Sequence, residues 1–193
     1  MKLPISLVVI AKNEEKKIAQ CIESAHFLDD VVVVVDQSTT DGTAEIAKQK
    51  GARVFIKEWQ GFGPQKRWAV EQAKNDWVLC LDADERISEE MAEELREKFP
   101  HLDPETKYYF PLAAFYMGRW IWHGGWFPDF KGRLFHRKYY QWDLATIHER
   151  VVGGAKMGHF LGPIEHYVFD HFSDHIETNI RYARLLADAD EQK

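Results

Sequence analysis

The sequence predicts an α/β fold in which a mostly parallel β-sheet is flanked by helices and followed by an aromatic-rich lobe of short strands and a C-terminal helix. Apolar, strand-like runs alternate with amphipathic segments over the first hundred residues. One run, residues 31–35, is five consecutive valines, which is typical of a strand buried on both faces. After Pro100 the pattern changes, and residues 108–142 hold 14 of the 26 aromatic residues. Strand–helix alternation with short connections favours a parallel sheet.

Four strands and four helices are predicted in order along the first half. The helices rest on apolar residues that recur at intervals of three and four, as in Ile18, Cys21, Ile22 and Ala25. Gly51 suits a helix C-terminus and Ser88 a helix N-cap. We predict strands at Ile5–Ala11, Val31–Val35, Arg53–Lys57 and Trp77–Leu81, and helices at Glu14–Ala25, Thr43–Lys50, Gln65–Lys74 and Ser88–Phe99.

The second half has a less regular pattern. Gln141–Leu144 and Glu165–Phe169 are strand-like, and residues 173–193 are predicted to be helical. We find no internal repeat and no low-complexity linker. The 193 residues are therefore expected to form one continuous domain of two unequal lobes.

Charge and composition restrict the partners. The net charge of −6 argues against a nucleic-acid-binding protein, which needs a basic surface. Residues 107–156, however, carry 8 Lys and Arg against 3 Asp and Glu, so we expect this part to meet a negatively charged partner.

Compartment and membrane signals are also informative. The sequence has no run of 18 apolar residues, so it predicts no membrane-spanning helix. The apolar start lacks the cleavage site of a signal peptide. Cys21 and Cys80 lie far apart in hydrophobic runs and are interpreted as reduced core residues of a cytoplasmic protein.

Acidic and polar residues follow the predicted strands. Asp82 and Asp84 come directly after the fourth strand; in an extended backbone they would point the same way, about 7 Å apart. Ligands of parallel sheets bind at the carboxyl ends of strands, and paired carboxylates there suit Mg²⁺ or Mn²⁺. An exposed acidic turn is the alternative.

Two further loops lie at the same predicted edge. Asp36 follows the valine strand, where a carboxylate can bind ribose hydroxyls, although Asp41 in that loop is equally a helix cap. Residues 61–64 are predicted to form a flexible glycine loop that enters a helix, whose cations Lys66 and Arg67 can meet a diphosphate, although Arg67 fits a solvated helix face equally well. There is no dinucleotide-binding glycine motif after the first strand and no P-loop.

The histidines and the aromatic segment leave alternatives open. The seven histidines from 123 to 175 fit no zinc-site spacing, and most are interpreted as packing or surface residues. His148-Glu149 differs, because a glutamate facing the sheet edge can act as a general base. Residues 124–138 mix aromatic rings with cations, which suits sugar and phosphate binding or simply a packed hairpin.

Taken together, these motifs resemble family 2 glycosyltransferases with the GT-A fold, over roughly residues 4–185. The matching pieces of the general family are residues 11–15, 35–43 and 82–85. Residues 61–66, 125–135 and 147–149 resemble the bacterial lipopolysaccharide-core β-1,4-glucosyltransferase branch more closely.

The resemblance implies an inverting enzyme that moves a hexose from a nucleoside-diphosphate sugar to a glycan or glycolipid acceptor. It implies that residues 1–100 bind the donor and residues 101–193 the acceptor, with peripheral contact at the inner face of the cytoplasmic membrane. Glu149 and Asp84 are the implied catalytic pair, with Asp84 and Asp82 at the Mg²⁺ or Mn²⁺ ion. The other implied contacts are Ile10, Ala11, Asn13, Glu14, Asp36, Lys66 and Asp82 for the donor, and Trp126, Asp129, Arg133 and His148 for the acceptor.

Two departures from the family pattern and two other function classes remain. Gln37 stands where many members have an acid that contacts uracil, and many relatives have a further C-terminal segment. A sugar nucleotidyltransferase would also use a nucleotide-binding sheet with paired acids, but it normally has a glycine-rich basic loop after the first strand. A non-catalytic carbohydrate-binding domain would rely on the aromatic segment alone.

Overall fold

The protein is described by a computed structural model that covers residues 2–146, 148–169, 172–173, 175–176 and 179–180. The strands are β1 (Leu3–Ala11), β2 (Leu28–Asp36), β3 (Arg53–Lys57), β4 (Trp77–Asp82), β5 (Glu85–Ile87), β6 (Thr106–Tyr116), β7 (Arg119–Ile121), β8 (Asp129–His136), β9 (Tyr140–Trp142), β10 (Val151–Gly153), β11 (Lys156–His159) and β12 (Ile164–Phe169). The helices are α1 (Ile18–Ser24), α2 (Thr43–Gln49), α3 (Phe62–Glu71) and α4 (Glu89–Lys98), with a 3₁₀ turn at Phe99–His101.

Ten of the described strands form one mixed sheet, in the order β3-β2-β1-β4-β8-β6-β12-β5, with β7 and β11 pairing to β6. The first four strands in this order are mutually parallel, and β8 joins β4 and β6 in antiparallel fashion. The second half of the chain thus extends the same sheet. The predicted α/β class with a parallel strand–helix first half is confirmed.

The two faces of the parallel strands pack into different cores. Along β1, Leu7 and Val9 belong to the core beneath α1, α2 and α4, whereas Val8 and Ile10 belong to the core beneath α3. Alternate residues of a strand point to opposite faces. By the same alternation Asp36 and Asp82, at the ends of β2 and β4, lie on the α3 face.

The start of α3 differs from the prediction. The helix begins at Phe62, so Gly63 and Pro64 lie in its first turn, where a sequence-based reading places a flexible loop. Proline is tolerated there because first-turn N–H groups have no partner within the helix. A Cβ atom at Gly63 would lie 2.4 Å from the Asp143 carbonyl oxygen, so only glycine permits this close approach.

The predicted first helix is also shorter than expected. It starts at Ile18 rather than at Glu14, because the preceding residues form turns that hydrogen-bond to another loop. The fourth helix is capped as predicted, with the Ser88 hydroxyl accepting from the Met91 N–H. Of the predicted C-terminal helix, the described positions between 173 and 180 are helical, and the remainder lies outside the described residues.

Two smaller expectations concern the core and the membrane. Cys21 and Cys80 are both buried and unpaired, as the sequence predicts. No helix among the described residues combines the length and the apolar character that crossing a bilayer requires.

A buried polar network holds the edge of the sheet opposite the carboxyl ends. The Asp30 carboxylate is 4% exposed and accepts two hydrogen bonds from Arg53, one from the Ser6 hydroxyl and one from the Lys74 N–H. Burial raises the pKa of Asp30, but these donors outweigh it and hold that pKa below its ordinary value. The ionised carboxylate therefore favours the folded state.

We expect Asp30→Asn to lower the free energy of unfolding by about 2–3 kcal/mol, because buried donors lose a charged acceptor. Asp29→Asn is the matched control, since Asp29 is exposed on the same strand. Urea unfolding measures both. The difference between Asp30→Asn and the unchanged protein should shrink as the pH falls through the native pKa of Asp30. An equal effect of the two substitutions would contradict this account.

Candidate active site at the carboxyl edge of the sheet

Two loops at the carboxyl ends of β1 and β2 are tied together. Asn13 has a left-handed backbone, with φ 54°, and its Oδ1 accepts from the Thr40 N–H at 2.9 Å. The Glu14 N–H donates to the Thr43 hydroxyl at 2.8 Å. Ile10 and Ala11, predicted donor contacts, are buried at the end of β1 directly before this loop. The two loops therefore lie together at the carboxyl edge of the sheet and form one wall of the candidate site.

Asp36 lies at this wall and is 3% exposed. Its Oδ1 accepts from the Ser38 N–H at 2.9 Å, and its Oδ2 lies 3.3 Å from the Lys12 ammonium nitrogen. Burial raises the pKa of Asp36, but Ser38 and Lys12 together hold that pKa below its ordinary value. Its Oδ2 has no hydrogen bond of good geometry from any described residue and lies against the Lys12 ammonium, so Asp36 is a buried, ionised acceptor.

The chain turns immediately after Asp82, which corrects the expectation of an extended backbone. Ala83 and Asp84 form a turn between β4 and β5. Glu85 then reaches back, and its Oε2 accepts from the Asp82 N–H at 2.9 Å. Asp82 and Asp84 consequently have different partners.

Asp82 belongs to a row of alternating charges. Its Oδ1 lies 3.0 Å from the Lys66 nitrogen, and its Oδ2 lies 2.8 Å from Arg133 Nη2. The same Arg133 nitrogen donates to Glu85, and Lys66 also contacts Glu149 at 2.7 Å. The row runs Glu149–Lys66–Asp82–Arg133–Glu85 and is called here the charge row.

Burial and charge act against each other in the charge row. Burial raises the pKa of Asp82, but Arg133 and Lys66 hold it well below its ordinary value. Burial lowers the pKa of Lys66, but Asp82 and then Glu149 outweigh it, so that pKa is raised. The pKa of Glu85 is raised, chiefly by burial. Lys66, Asp82 and Arg133 are therefore charged, and opposite charges beside each of them offset the cost of burying that charge.

Asp84 is part-buried, with 25% of its side chain exposed against 38% for that of Asp82. Its Oδ2 lies 3.5 Å from His166 Nε2 and 3.8 Å from the Lys17 nitrogen. Among the described residues no group of three or more His, Cys, Asp or Glu side chains is arranged to hold a metal ion. The Asp84 oxygen and the His166 nitrogen nevertheless converge, and this pair fits a divalent ion that completes its coordination with phosphate oxygens and water.

Glu149 reaches the same edge from the second half of the chain. It lies between β9 and β10, and its side chain is 13% exposed. The residues before it pack on the start of α3, where the Phe62 and Gly63 N–H groups donate to the carbonyls of Thr146 and Ala145. This contact places Glu149 beside Lys66 at the sheet edge, where the sequence predicts it.

The predicted acceptor residues are dispersed. Trp126 is 42% exposed and lies against Tyr116, while Asp129 forms an exposed ion pair with Lys131. His148 is exposed and has a left-handed backbone, with φ 60°. Arg133 is only 7% exposed and faces Asp82 and Glu85, so it lies beneath the edge rather than on it.

Sequence reasoning missed three side chains of this site. His166, interpreted as a packing or surface residue, contacts Asp84 because β12 pairs with β5 and places it opposite Glu85. Lys17 reaches Asp84 from the start of α1, and the Trp142 ring lies 4.8 Å from the Lys66 nitrogen. The long-range pairing of β12 with β5, which leaves no local sequence pattern, brings His166 to the edge, whereas Trp142 comes from β9, in a local pair with β10, and lies beside Lys66 of α3.

Comparison with known proteins gives a consistent result. A family model described as "Glycosyl transferase family 2" matches residues 6–158. An uncharacterized glycosyltransferase of Rickettsia typhi is 42% identical over 116 residues, which are 59% of this chain and 40% of that relative. The lipopolysaccharide core biosynthesis glycosyltransferase LpsC of Rhizobium meliloti is 29% identical over 97% of this chain and 72% of its own length.

The fold is shared with a solved structure. The crystal structure of S. aureus TarS matches 87% of this chain and 37% of its own length, with a TM-score of 0.58 and 17% identity. At this identity the likeness concerns the fold alone. The chain spans less than half the length of the Rickettsia relatives. The resemblance drawn from the motifs is confirmed at the level of the family and the fold.

The charge row predicts a specific loss of stability. We expect Arg133→Met to lower the free energy of unfolding by about 3–5 kcal/mol, because Asp82 and Glu85 would lose the cation that lies between them. Arg133→Met combined with Glu85→Gln removes one of these charges and should recover part of the loss. Urea unfolding measures both proteins.

The control for this loss is Arg137→Met, because the Arg137 side chain, paired with Asp76, is 27% exposed against 8% for Arg133. Its loss should stay near the ~1 kcal/mol typical of surface pairs. A comparable loss from both arginines would show that the charge row contributes no more than a surface ion pair.

Proposed function

We propose that this chain, which belongs to glycosyl transferase family 2, moves a hexose from a nucleoside-diphosphate sugar to a saccharide or lipid-linked acceptor with inversion at the anomeric carbon. The observation that carries the proposal is the Lys66 ammonium, which lies 3.0 Å from Asp82 and 2.7 Å from Glu149. Lys66 thereby joins Asp82, at the end of β4 in the first half of the chain, to Glu149, a candidate base from the second half. Donor-side and acceptor-side groups are thus within one side chain's reach of each other.

The donor side is the wall formed by the first two loops. Asp36 supplies a buried, ionised acceptor suited to ribose hydroxyls, and Asn13 and Glu14 border it. Ile10 and Ala11 provide the apolar end of β1 beside it. The sugar and the diphosphate would then extend toward Asp84, at the carboxyl end of β4.

The transfer itself is a single displacement. Glu149 takes the proton from the attacking acceptor hydroxyl, whose oxygen forms the new bond to the anomeric carbon. The bond from that carbon to the diphosphate oxygen breaks, and the electron pair leaves with the nucleoside diphosphate. The products are the glycosylated acceptor and the nucleoside diphosphate, with the acceptor's proton on Glu149. Attack opposite to the departing diphosphate inverts the anomeric centre.

A divalent ion would be held by Asp84 and His166, whose donor atoms lie 3.5 Å apart. Mg²⁺ or Mn²⁺ at this pair would supply positive charge to the departing diphosphate. Lys17, 3.8 Å from the same Asp84 oxygen, adds a fixed cation at this position. Asp82 would contribute through its neighbours, because Lys66 and Arg133 already occupy its two oxygens.

The acceptor is proposed to be a phosphate-bearing glycan or glycolipid of the cell envelope, at the inner face of the cytoplasmic membrane. The excess of cations in residues 107–156 and the exposed Trp122 and Trp126 support this choice. The similarity to LpsC over nearly the whole chain makes lipopolysaccharide core synthesis the first acceptor class to test.

Donor binding is tested by a thermal-shift screen of nucleoside diphosphates and their sugars, with and without Mn²⁺. A donor at about 100 times its dissociation constant should raise the melting temperature by about 5–10 °C. Asp84→Ala and His166→Ala should each remove the part of the shift that needs Mn²⁺. His101→Ala, an exposed histidine, is the control and should leave it intact. A full Mn²⁺-dependent shift in Asp84→Ala would remove the proposed metal site.

The base is tested by Glu149→Gln, which keeps the shape of the side chain but accepts no proton. We expect kcat for sugar transfer to fall by about 10²–10⁴-fold, while the donor-induced thermal shift stays unchanged. Glu105→Gln, an exposed glutamate, should leave kcat unchanged. Undiminished transfer in Glu149→Gln would assign the base elsewhere, to Asp129 or Asp143.

Pyrophosphate release from a nucleoside triphosphate and a sugar phosphate would instead indicate a nucleotidyltransferase.

A further inference from the structure

Lys66 is enclosed by the groups that it joins. We infer that Lys66 is a positioning residue, which fixes the Glu149 carboxylate at the donor edge, rather than a ligand of the donor's diphosphate. The inference rests on the proposed function and deepens it. It differs from the diphosphate contact that the family resemblance implies, and the two roles have opposite consequences for donor affinity.

The surroundings of the ammonium group leave little room for another partner. The Lys66 side chain is 7% exposed. An ammonium has three N–H donors, and those of Lys66 face the carboxylates of Asp82 and Glu149 and the indole ring of Trp142. A diphosphate would have to displace one of these groups and leave a partly buried carboxylate without its cation, which is costly.

Glu149, in turn, depends on Lys66. Lys66 is the hydrogen-bond partner that the structure gives to the Glu149 carboxylate, at 2.7 Å. The backbone before Glu149 is held on the first turn of α3, through the carbonyls of Ala145 and Thr146. Helix α3 therefore holds the loop that carries Glu149 and also supplies Lys66, the cation that orients its carboxylate. Without the cation the carboxylate would turn toward water, away from an acceptor hydroxyl.

The charge row explains why a lysine at this position is stable. Two cations alternate with three carboxylates, so each buried cation has a carboxylate on both sides. Removing Lys66 alone leaves Glu149 without its cation and Asp82 with Arg133 alone. Removing the charge of Glu149 at the same time restores the net charge of the row. The two residues should therefore act as a unit, whereas independent sites give additive effects.

The test is a double-mutant cycle with Lys66→Met, Glu149→Gln and the combined variant. Transfer rates give kcat, calorimetry with the nucleoside-diphosphate sugar gives the donor dissociation constant, and thermal unfolding gives the melting temperature. We expect Lys66→Met to lower kcat by about 100-fold with donor affinity changed less than about twofold. The combined variant should have the kcat of Glu149→Gln within about threefold and should melt above Lys66→Met.

Lys48→Met, alone and with Glu149→Gln, is the control, because Lys48 is an exposed lysine on α2. It should change neither kcat nor donor affinity. If Lys66→Met does not fold, the charge-balanced combined variant is compared with Glu149→Gln directly. A donor affinity more than about tenfold weaker in the combined variant would assign Lys66 to the diphosphate and overturn the inference.

The melting temperatures separate this inference from the proposed function. Additive losses from Lys66→Met and Glu149→Gln would show that the contact does not couple the two residues, whether or not the protein transfers sugar. If the unchanged protein transfers no sugar from any donor, the proposed function fails. A coupled pair in such a protein would still establish that Lys66 fixes Glu149.

Discussion

The candidate site depends on how the protein keeps charged groups inside its edge. Five side chains with little or partial exposure alternate in sign, and contacts of about 3 Å or less join each to the next. A single buried charge is strongly disfavoured, but a row of alternating charges compensates each member through its neighbours. The pKa values of Asp82 and Lys66 reflect this, because in both residues neighbouring charges outweigh the effect of burial. The positions of these side chains are therefore coupled.

Helix α3 supplies the geometry that this coupling needs. Its first turn has N–H groups without partners in the helix, and the loop between β9 and β10 satisfies two of them with its carbonyls. Gly63 permits this approach, and Lys66 projects one turn later between the loop and β4. The N-terminal end of α3 thus contacts both halves of the chain. This explains why glycine, proline and lysine occur so close together in this segment.

Local patterns were sufficient for part of this structure. The valine run, the spacing of apolar residues and the Ser88 cap predicted the parallel strands and the last of the four helices. The motifs also selected Asp82, Asp84 and Glu149, which lie at one edge of the sheet, while their roles remain predictions. Patterns failed where a contact depends on distant pairing. His166 reaches Asp84 only through the antiparallel register of β5 and β12, and Arg133 is buried because β8 joins β4. The turn at Ala83 and Asp84 follows from the same pairing, since β5 must leave the direction of β4.

Because the chain turns at Ala83 and Asp84, the carboxylates of Asp82 and Asp84 have different partners. Asp82 has both oxygens committed to Lys66 and Arg133, and its charge is needed inside the protein. Asp84 has longer contacts, because its neighbours, a histidine and a lysine from other elements, lie 3.5 and 3.8 Å from its Oδ2. Under the proposed function, an incoming diphosphate carries negative charge and would meet Lys17 and the Asp84–His166 pair, whereas Lys66 and Arg133 are already paired with carboxylates. In that proposal the Asp82 side of the turn holds Glu149 in place. The donor could then bind and leave without disturbing the groups that orient Glu149.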